Sequence, residues 1–555
     1  MNSSIKVNRT DVDGVPTFWV DTGRPALSAT LIFRAGLMDE PPARSGWLHL
    51  LEHVVLTGPE QHGLGVNGSV DLAFTTFDAE GDPDEVCAHL GRITDRLSVV
   101  PDGDLDHERQ ILAAEERERD PSPLDFGLVW RFGAAGPARA AFQGLGLGAA
   151  ARPGLQELAQ RLLTRGNAAL ILSAPPPAGL SLRLPDGPAR PRAELPPMLN
   201  ATGCYVHPVE GLMLHGMVPR TAAGQVTTMV TGHRLREALR HRDGMAYSPG
   251  TDYLPVSPTS SILIASVDVK FDETERASST LFSSINDLLR TGPTSDDLRR
   301  IVAERERDAV DPYAAFDWAA AAARRHLEGL EESSPDQVVE QVRAVTSADV
   351  TAALGEFIAT SMLGIPDPDV RKAVPLPPLD ERVDPVPAAP TATYRTVIPL
   401  PGSPVVRTID GGLHVAGKGA GTLFRYPDVI ACQATPNGTR RLLRSDATSI
   451  ELGTDAFHQG DRLRAHIDSG LDPSVVVPAP DPEGEEPVPT RGVLGKALLT
   501  TALWIALAVA VVGGLILHRL RPDLLSFGTL GVIVAVAVAL AADGIWLTRR
   551  ARSES

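Results

Sequence analysis

Proline-rich stretches divide this chain of 555 residues into separate folding units. They lie at 373–392 and 477–492, with a further joint at 175–198, and their composition is typical of linkers between domains. A folded domain usually holds roughly 100–200 residues, so a chain of this length is expected to contain several. We therefore predict domains at 1–185, 200–372 and 393–476, followed by a C-terminal segment at 493–550.

The first two predicted domains alternate strand-like and helix-like stretches. The strand-like stretches are rich in β-branched and aromatic residues and lie at 16–20, 26–36, 72–81, 168–174, 211–219 and 260–269. The helix-like stretches lie at 46–58, 83–98, 105–120, 154–165 and 227–242, with further helices between 273 and 360. The predicted fold class is α+β, with two consecutive α/β sandwich domains whose similar layout suggests an internal duplication.

The third predicted domain, at 393–476, consists of short strand-like segments separated by glycines. This pattern predicts a small all-β module. Its segment FRYPDVIACQ (424–433) loosely resembles bacterial PH-like domains. A plain spacer or an oligomerisation domain accounts for the pattern about as well.

Two long apolar runs, 497–517 and 524–547, end the chain. At about 1.5 Å per residue, each helix is long enough to cross a hydrocarbon core of about 30 Å. The short connector predicts a transmembrane hairpin, although a pair of buried core helices is an alternative. Most arginine and lysine residues near the runs lie outside the connector, and the N-terminus lacks the apolar core of a signal peptide. We therefore expect a multi-pass anchor in the bacterial cytoplasmic membrane, with the soluble domains facing the cytoplasm.

Charge and cysteine content exclude some classes of function. The net charge of −17 argues against a nucleic-acid partner, because phosphates bind basic surfaces. Cys87, Cys204 and Cys432 are too few and too far apart for a disulfide framework or a cysteine-based metal site. They are more typical of buried thiols in a reducing compartment.

The segment HLLEH places His49 and His53 four residues apart on one face of the predicted helix 46–58. Two imidazoles at this spacing can bind one metal ion. Glu52 can flank the same site without being a ligand, and such a carboxylate can take a proton from zinc-bound water. A surface helix that happens to carry two histidines and a glutamate is the alternative.

A catalytic zinc normally has a third protein ligand and an open position. The predicted helix 105–120 offers Glu108 and Glu115, which are two turns apart and hence on one face. One of them can bind the metal while the other supports a ligand from behind.

These residues stand in a longer pattern. The stretch RAGLMDEPPARSGWLHLLEHVVLTGPE (34–60) resembles the M16 family of metallopeptidases, which includes pitrilysin, insulysin and the mitochondrial processing peptidase. The family's distal motif is matched by Glu108-Arg109 through Glu115. The resemblance implies a zinc metalloendopeptidase that hydrolyses peptides or unfolded polypeptides. It implies zinc ligands at His49, His53 and Glu115, a general base at Glu52, and a supporting carboxylate at Glu108.

A second segment, RLREALRHRDGMAY (234–247), resembles a motif in the family's C-terminal domain. The matching residues, Arg240 and Tyr247, would hold the substrate carbonyl or the tetrahedral intermediate, for which a cation and a phenol are suitable donors. The alternative is that Arg240 is an arginine at the end of a helix and Tyr247 is a tyrosine of the core. Because family members enclose the site between two domain pairs and this chain has one, the resemblance implies a homodimer.

The chain departs from the family between the two motifs. Only 61 residues (54–114) separate His53 from Glu115, which is shorter than usual, and the shortening falls at 59–82. The family carries there an edge strand that pairs with substrate, so a trimmed strand would alter how peptides are bound. Asn67 is only a partial match to the family's substrate-contacting residue. This departure keeps open a catalytically silent binding or scaffold subunit of a membrane-associated processing complex. A membrane-bound signalling or secretion component is a further alternative.

Overall fold

The computed structural model of this protein describes residues 4–58, 63–119, 122–242, 249–379, 383–399, 402–417 and 420–480. The predicted hairpin at 497–517 and 524–547 and most of the acidic linker at 477–492 lie outside these ranges. Within them, no helix has both the length and the apolar character needed to span a membrane.

The first domain is built on a sheet with the strand order β1-β2-β6-β3-β5-β4. Its strands are β1 (Asn8–Val12), β2 (Val15–Trp19), β3 (Leu27–Phe33), β4 (Gly65–Val70), β5 (Thr75–Gly81) and β6 (Ala168–Leu172). Its helices are α1 (Trp47–Leu56), α2 (Pro83–Ser98), α3 (Leu105–Glu118), α4 (Pro123–Phe132) and α5 (Arg152–Leu162). The β2–β6 pair is parallel and the other pairs are antiparallel. Apolar residues of α1, α2 and α5 pack with β3 and β6 in the core of this domain.

The second domain has the sheet order β7-β11-β8-β10-β9. Its strands are β7 (Gly203–Val206), β8 (Leu212–Pro219), β9 (Gly250–Pro255), β10 (Ser260–Val267) and β11 (Met362–Ile365). Its helices are α6 (Ala222–Leu235), α7 (Thr274–Thr291), α8 (Ser295–Asp308), α9 (Ala315–Leu327), α10 (Pro335–Arg343) and α11 (Ser347–Ala359). The predicted helix 227–242 is only partly α-helical. The α-helix α6 ends at Leu235, and the chain continues as a π-helical turn over Arg236–Arg242.

The two domains exchange helices. Leu128 and Phe132 of α4 pack against Ile262 on the sheet of the second domain. In return, the alanine-rich α9 packs against Phe18 and Ile171 on the sheet of the first domain. The small side chains of α9 let this helix approach the sheet closely. The domains are thus joined through two apolar interfaces. The predicted α+β class with two consecutive domains is confirmed.

The third module is not purely β. It contains two sheets, with the strand orders β12-β13-β14-β15 and β18-β17-β16-β19. The strands are β12 (Ala392–Arg395), β13 (Val405–Ile409), β14 (Gly412–Gly417), β15 (Ala420–Arg425), β16 (Val429–Ala434), β17 (Thr439–Arg444), β18 (Ser449–Gly453) and β19 (Val476–Pro478). A helix, α12 (Gly460–Gly470), places Leu463 and Ile467 in the same core as Phe424 and Leu442. The all-β prediction missed α12 because a short helix bounded by glycines lacks a long periodic signal. We refer to residues 392–478 as the β module.

The proline-rich segment 373–392 contacts both the second domain and the β module. Residues 377–379 form backbone hydrogen bonds with Cys204 of β7. Further along, the Asp384 carboxylate accepts a hydrogen bond from the backbone N–H of Leu423 in β15. In its described residues, this segment is therefore attached to the domains that it joins.

Candidate metal centre

Helix α1 begins at a buried carboxylate. Glu40 is 1% exposed and accepts hydrogen bonds from the backbone N–H groups of Gly46 (3.0 Å) and Leu48 (2.6 Å). Burial raises the pKa of Glu40 to about 7, although these backbone donors oppose the shift. Gly46 has a positive φ of 91°, a conformation that glycine adopts without strain. The indole Nε1–H of Trp47 donates to the backbone oxygen of Gly146 at 2.9 Å. The first turn of α1 is therefore held by Glu40 through its backbone and by Gly146 through the side chain of Trp47.

The apolar face of α1 fixes where its polar residues lie. Leu48, Leu51 and Val55 are fully buried in the core of the first domain. His49 and His53 lie on the face that packs next to α3, where 36% and 19% of their side chains are exposed. Their rings meet edge to face with centroids 5.0 Å apart.

Glu115 of α3 completes a group of three ligand atoms. Its Oε2 lies 3.7 Å from Nε2 of His49 and 3.8 Å from Nε2 of His53. One ligand atom from each of the three residues lies within 4.8 Å of the others. Two imidazoles and a carboxylate on an open face are the donor set of catalytic zinc sites, so the residues present fit this metal.

Glu108 contacts the far side of His53. Its Oε2 lies 3.2 Å from Nδ1 of His53, opposite the nitrogen that faces Glu115. The hydroxyl of Thr57 lies 2.9 Å from the other oxygen of Glu108. A carboxylate in this position fixes the tautomer and the orientation of a ligand histidine. Thr57 was not singled out from the sequence, although it lies one helical turn after His53.

Glu52 lies beside the group without joining it. Its Oε2 is 3.8 Å from Nε2 of His49 and 3.9 Å from Nε2 of His53, and 6% of its side chain is exposed. Burial raises the pKa of Glu52 to about 7; His53 opposes this shift, and Glu115 and Glu108 add to it. Burial also lowers the pKa of His49, which favours the neutral imidazole that metals bind.

Strand β4 passes directly against Glu52. A Cβ atom at Gly68 would overlap the Glu52 carboxylate and the side chain of Leu56. Successive strand residues face opposite sides of a sheet, so the neighbouring Asn67 faces away from α1. Asn67 lies opposite Asp78 in β5. An edge strand is present in this region, and glycine rather than asparagine lies next to Glu52.

Of the two residues predicted for the substrate side, one lies in the described part of the chain. Arg240 is exposed on the π-helical turn that follows α6 in the second domain. Tyr247 lies outside the described residues. The carboxylates of Glu52, Glu108 and Glu115, which lie within 4.0 Å of the histidine pair, come from the first domain. A role for Arg240 and Tyr247 stays a prediction.

Known structures share this architecture. The chain superimposes on the inactive domain of an M16 peptidase from Pseudomonas fluorescens with a TM-score of 0.55 and 16% identity, over 65% of this chain and 98% of that one. A protease from Helicobacter pylori gives 0.54 and 14%, over 65% and 99%. The first half of the periplasmic protease PqqL from Escherichia coli gives 0.53 and 13%, over 67% and 95%. No protein-family model and no curated protein matches the chain by sequence. At these identities the likeness concerns the fold, and the two α+β domains of this chain have the fold of the M16 peptidases.

Proposed function

We propose that this chain is a zinc metalloendopeptidase of the M16 type, which hydrolyses peptides or unfolded polypeptides. One observation carries the proposal. The ligand atoms of His49, His53 and Glu115 converge within 4.8 Å, with the buried carboxylate of Glu52 beside them. The fold brings these three residues together from two helices. A chance HLLEH segment on a surface helix would not need a third ligand beside it from a second helix.

The residues would share the chemistry as follows. Bound zinc would act as a Lewis acid and lower the pKa of water in the site. Glu52 would take a proton from the attacking water and pass it to the leaving amine nitrogen. Its carboxylate lies within 4 Å of both histidines, close enough to reach a water bound between them. Glu108 would hold His53 in the orientation that presents Nε2 to the metal.

The edge strand supports a mode of substrate binding. Gly65, Val66 and Asn67 of β4 are exposed, and β4 ends the strand order of its sheet. The backbone groups on the outer side of an edge strand can pair with an extended peptide. A peptide added here would run past Gly68 and hence past Glu52.

Arg240 and Tyr247 would act in trans. We propose a homodimer in which these residues of one copy donate to the substrate carbonyl in the site of the other. A mixing experiment tests this: Glu52→Gln and Arg240→Ala chains are each expected to be inactive alone. Mixed dimers would contain one site with both Glu52 and a partner arginine, and so recover activity. Recovery would not occur if Arg240 acted within its own chain.

The predicted hairpin would place this activity at a membrane. We propose that 497–517 and 524–547 anchor the chain in the bacterial cytoplasmic membrane with the catalytic domains facing the cytoplasm. Protease accessibility of the domains in spheroplasts and in inverted vesicles tests the orientation. Digestion in spheroplasts alone would contradict it.

A catalytically silent binding or scaffold subunit is the second candidate. The likeness to an M16 domain described as inactive favours it. The two functions are distinguished by zinc analysis and by cleavage of an unbiased peptide pool. The enzyme hypothesis predicts one zinc per chain in the wild type and in Glu52→Gln, with cleavage only by the wild type. Stoichiometric zinc without cleavage in either protein would leave the silent subunit.

A further inference from the structure

A small cavity opens next to the candidate metal centre. It has a volume of about 120 Å³ and is bordered by His49 and Glu115 on one side. Leu37, Leu112 and Leu147 form the apolar part of its lining. The rest of the lining is formed by Gly46, Glu116, Arg119, Gln143 and Gly144. An engineered apolar cavity of roughly 150 Å³ holds a benzene molecule. A cavity slightly smaller than this fits an aliphatic side chain.

The segment that closes this cavity is attached to helix α1. The backbone N–H of Gly146 donates to Ser45 at 3.0 Å, and Trp47 donates to the oxygen of Gly146. A Cβ atom at Gly46 would come within 3.0 Å of Leu147. Residues 143–149, the wall segment, are therefore in direct contact with the residues that begin the metal-binding helix.

The other side of the wall segment is covered by the β module. The side-chain amide of Gln433 donates to the backbone oxygen of Leu145 at 3.4 Å. Gly148 lies so close to Pro478 of β19 that a Cβ atom would overlap the proline carbonyl oxygen. An apolar cluster joins the same surfaces, and it contains Ala43, Ala134, Ala431, Leu443 and Val477.

The wall segment thus lies between helix α1 and the β module. The metal-binding helix fixes it from one side and the sheet of β16, β17 and β19 fixes it from the other. Closely packed surfaces transmit displacements because they leave no room for local adjustment. A shift of the β module would therefore move Leu147 relative to His49.

We propose that this cavity is a subsite for an aliphatic side chain of the substrate, with Leu147 as a specificity-determining residue and the β module as the element that fixes its size. The inference rests on the proposed peptidase function. It assigns the β module a part in selecting substrate, in addition to any role as a spacer or in oligomerisation.

Cleavage of a pool of short peptides, randomised at every position, tests the proposal with the full-length protein. Mass spectrometry of the products gives the residue preference at each position around the cut. We expect one position at which valine, isoleucine and leucine exceed glycine and tryptophan by about ten-fold or more. Leu147→Ala is expected to shift that preference toward phenylalanine and methionine.

Two variants test the part played by the β module. Gly148→Ala is expected to displace Pro478 and change the preference at the same position by several-fold. Gln433→Ala removes one contact at the surface of the module. It should shift the residue preference at this position less than Gly148→Ala does, and in the same direction. Gly453→Ala in β18 is the matched control, because its new methyl group would meet no atom closer than 4.0 Å. Thermal unfolding of each variant shows that it is folded.

The outcomes separate this proposal from the proposed function. Failure of the wild type to cut any peptide would overturn the peptidase function. Binding of a host peptide with Gly, Leu or Trp at each position in turn, measured in Glu52→Gln, would then test the subsite by itself. Absence of an aliphatic preference would overturn the subsite. A preference that Leu147→Ala leaves unchanged would do the same, and indifference to both Gly148→Ala and Gln433→Ala would overturn the role of the β module.

Discussion

The carboxylate of Glu108 lies 3.2 Å from Nδ1 of His53, while Nε2 of the same ring lies 3.8 Å from Glu115. Two carboxylates of α3 therefore contact opposite nitrogens of one imidazole. A hydrogen bond from Nδ1–H to Glu108 leaves the lone pair on Nε2, which is the form that binds a metal. Glu108 thus contacts the candidate metal centre through His53.

Glu108→Gln is expected to lower the affinity for zinc by about 10- to 100-fold, because the amide is a weaker acceptor and leaves His53 less firmly oriented. Competition with a chromogenic chelator measures this affinity. The control is Glu118→Gln, which changes the same functional group at an exposed position on the same helix. Equal affinities in the wild type and Glu108→Gln would show that Glu108 does not support the metal.

Glu40→Ala tests the buried cap of helix α1. The substitution leaves the backbone N–H groups of Gly46 and Leu48 without their carboxylate acceptor in a buried site. An unsatisfied buried donor costs roughly 1–3 kcal/mol, so the free energy of unfolding should fall by at least this amount. Urea unfolding provides the measurement. Glu85→Ala, at an exposed position in the first turn of α2, should change the stability far less.

Much of the candidate site could be predicted because it lies on two helices. Helical spacing alone puts His49 and His53 on one face, and the same rule puts Glu108 and Glu115 together on α3. Neither spacing predicts that the histidine face of α1 contacts the glutamate face of α3. The contact depends on how α1 and α3 pack on the core of the first domain, and the family resemblance supplied that step.

Strand β4 could not be predicted from its residues. Its sequence GVNGSV has two glycines and no apolar alternation, so it lacks the usual signal of a strand. It is a strand because it pairs along its length with β5. The contact between Gln433 and Leu145 spans 288 positions in the chain, and no local pattern predicts such a contact.

His89→Gln is expected to reduce the loss of stability in acid. His89 is 7% exposed, and burial lowers the pKa of its ring to about 4, with Arg92 and Arg96 acting in the same direction. The unfolded chain binds this proton near pH 6.5, the ordinary value for histidine. Between these values the unfolded state holds more protons, so the stability present above pH 6.5 is lost as the pH falls toward 4.

Urea unfolding at neutral pH and near the lower end of this window measures the effect. The free energy of unfolding should fall less in His89→Gln than in the wild type, by up to roughly 3 kcal/mol. The same comparison between two values above this window is the control, because neither state of His89 then gains a proton. Equal acid sensitivity in the two proteins would show that His89 is protonated without unfolding.

Gly68→Ala tests the close approach of the edge strand to the proposed general base. The new methyl group would overlap the Glu52 carboxylate, so either β4 or Glu52 must move. A displacement of about 1 Å at a reacting group can cost roughly 100-fold in rate, and a loss of this order in kcat/KM is expected. The zinc content should stay at that of the wild type, because the atoms nearest the new methyl group belong to Glu52 and Leu56 and to none of the three ligands.

Gly65→Ala is the matched control for this substitution. It lies on the same strand, and its new methyl group would meet no atom closer than 3.6 Å. Both variants lose the same backbone freedom, so any effect of replacing a strand glycine by alanine is common to them. A large loss of activity in Gly68→Ala alone, with zinc retained, would connect β4 to the chemistry of Glu52. Equal activities in the two variants would mean that the position of Glu52 tolerates a shift of β4, and that the edge strand is not coupled to the general base.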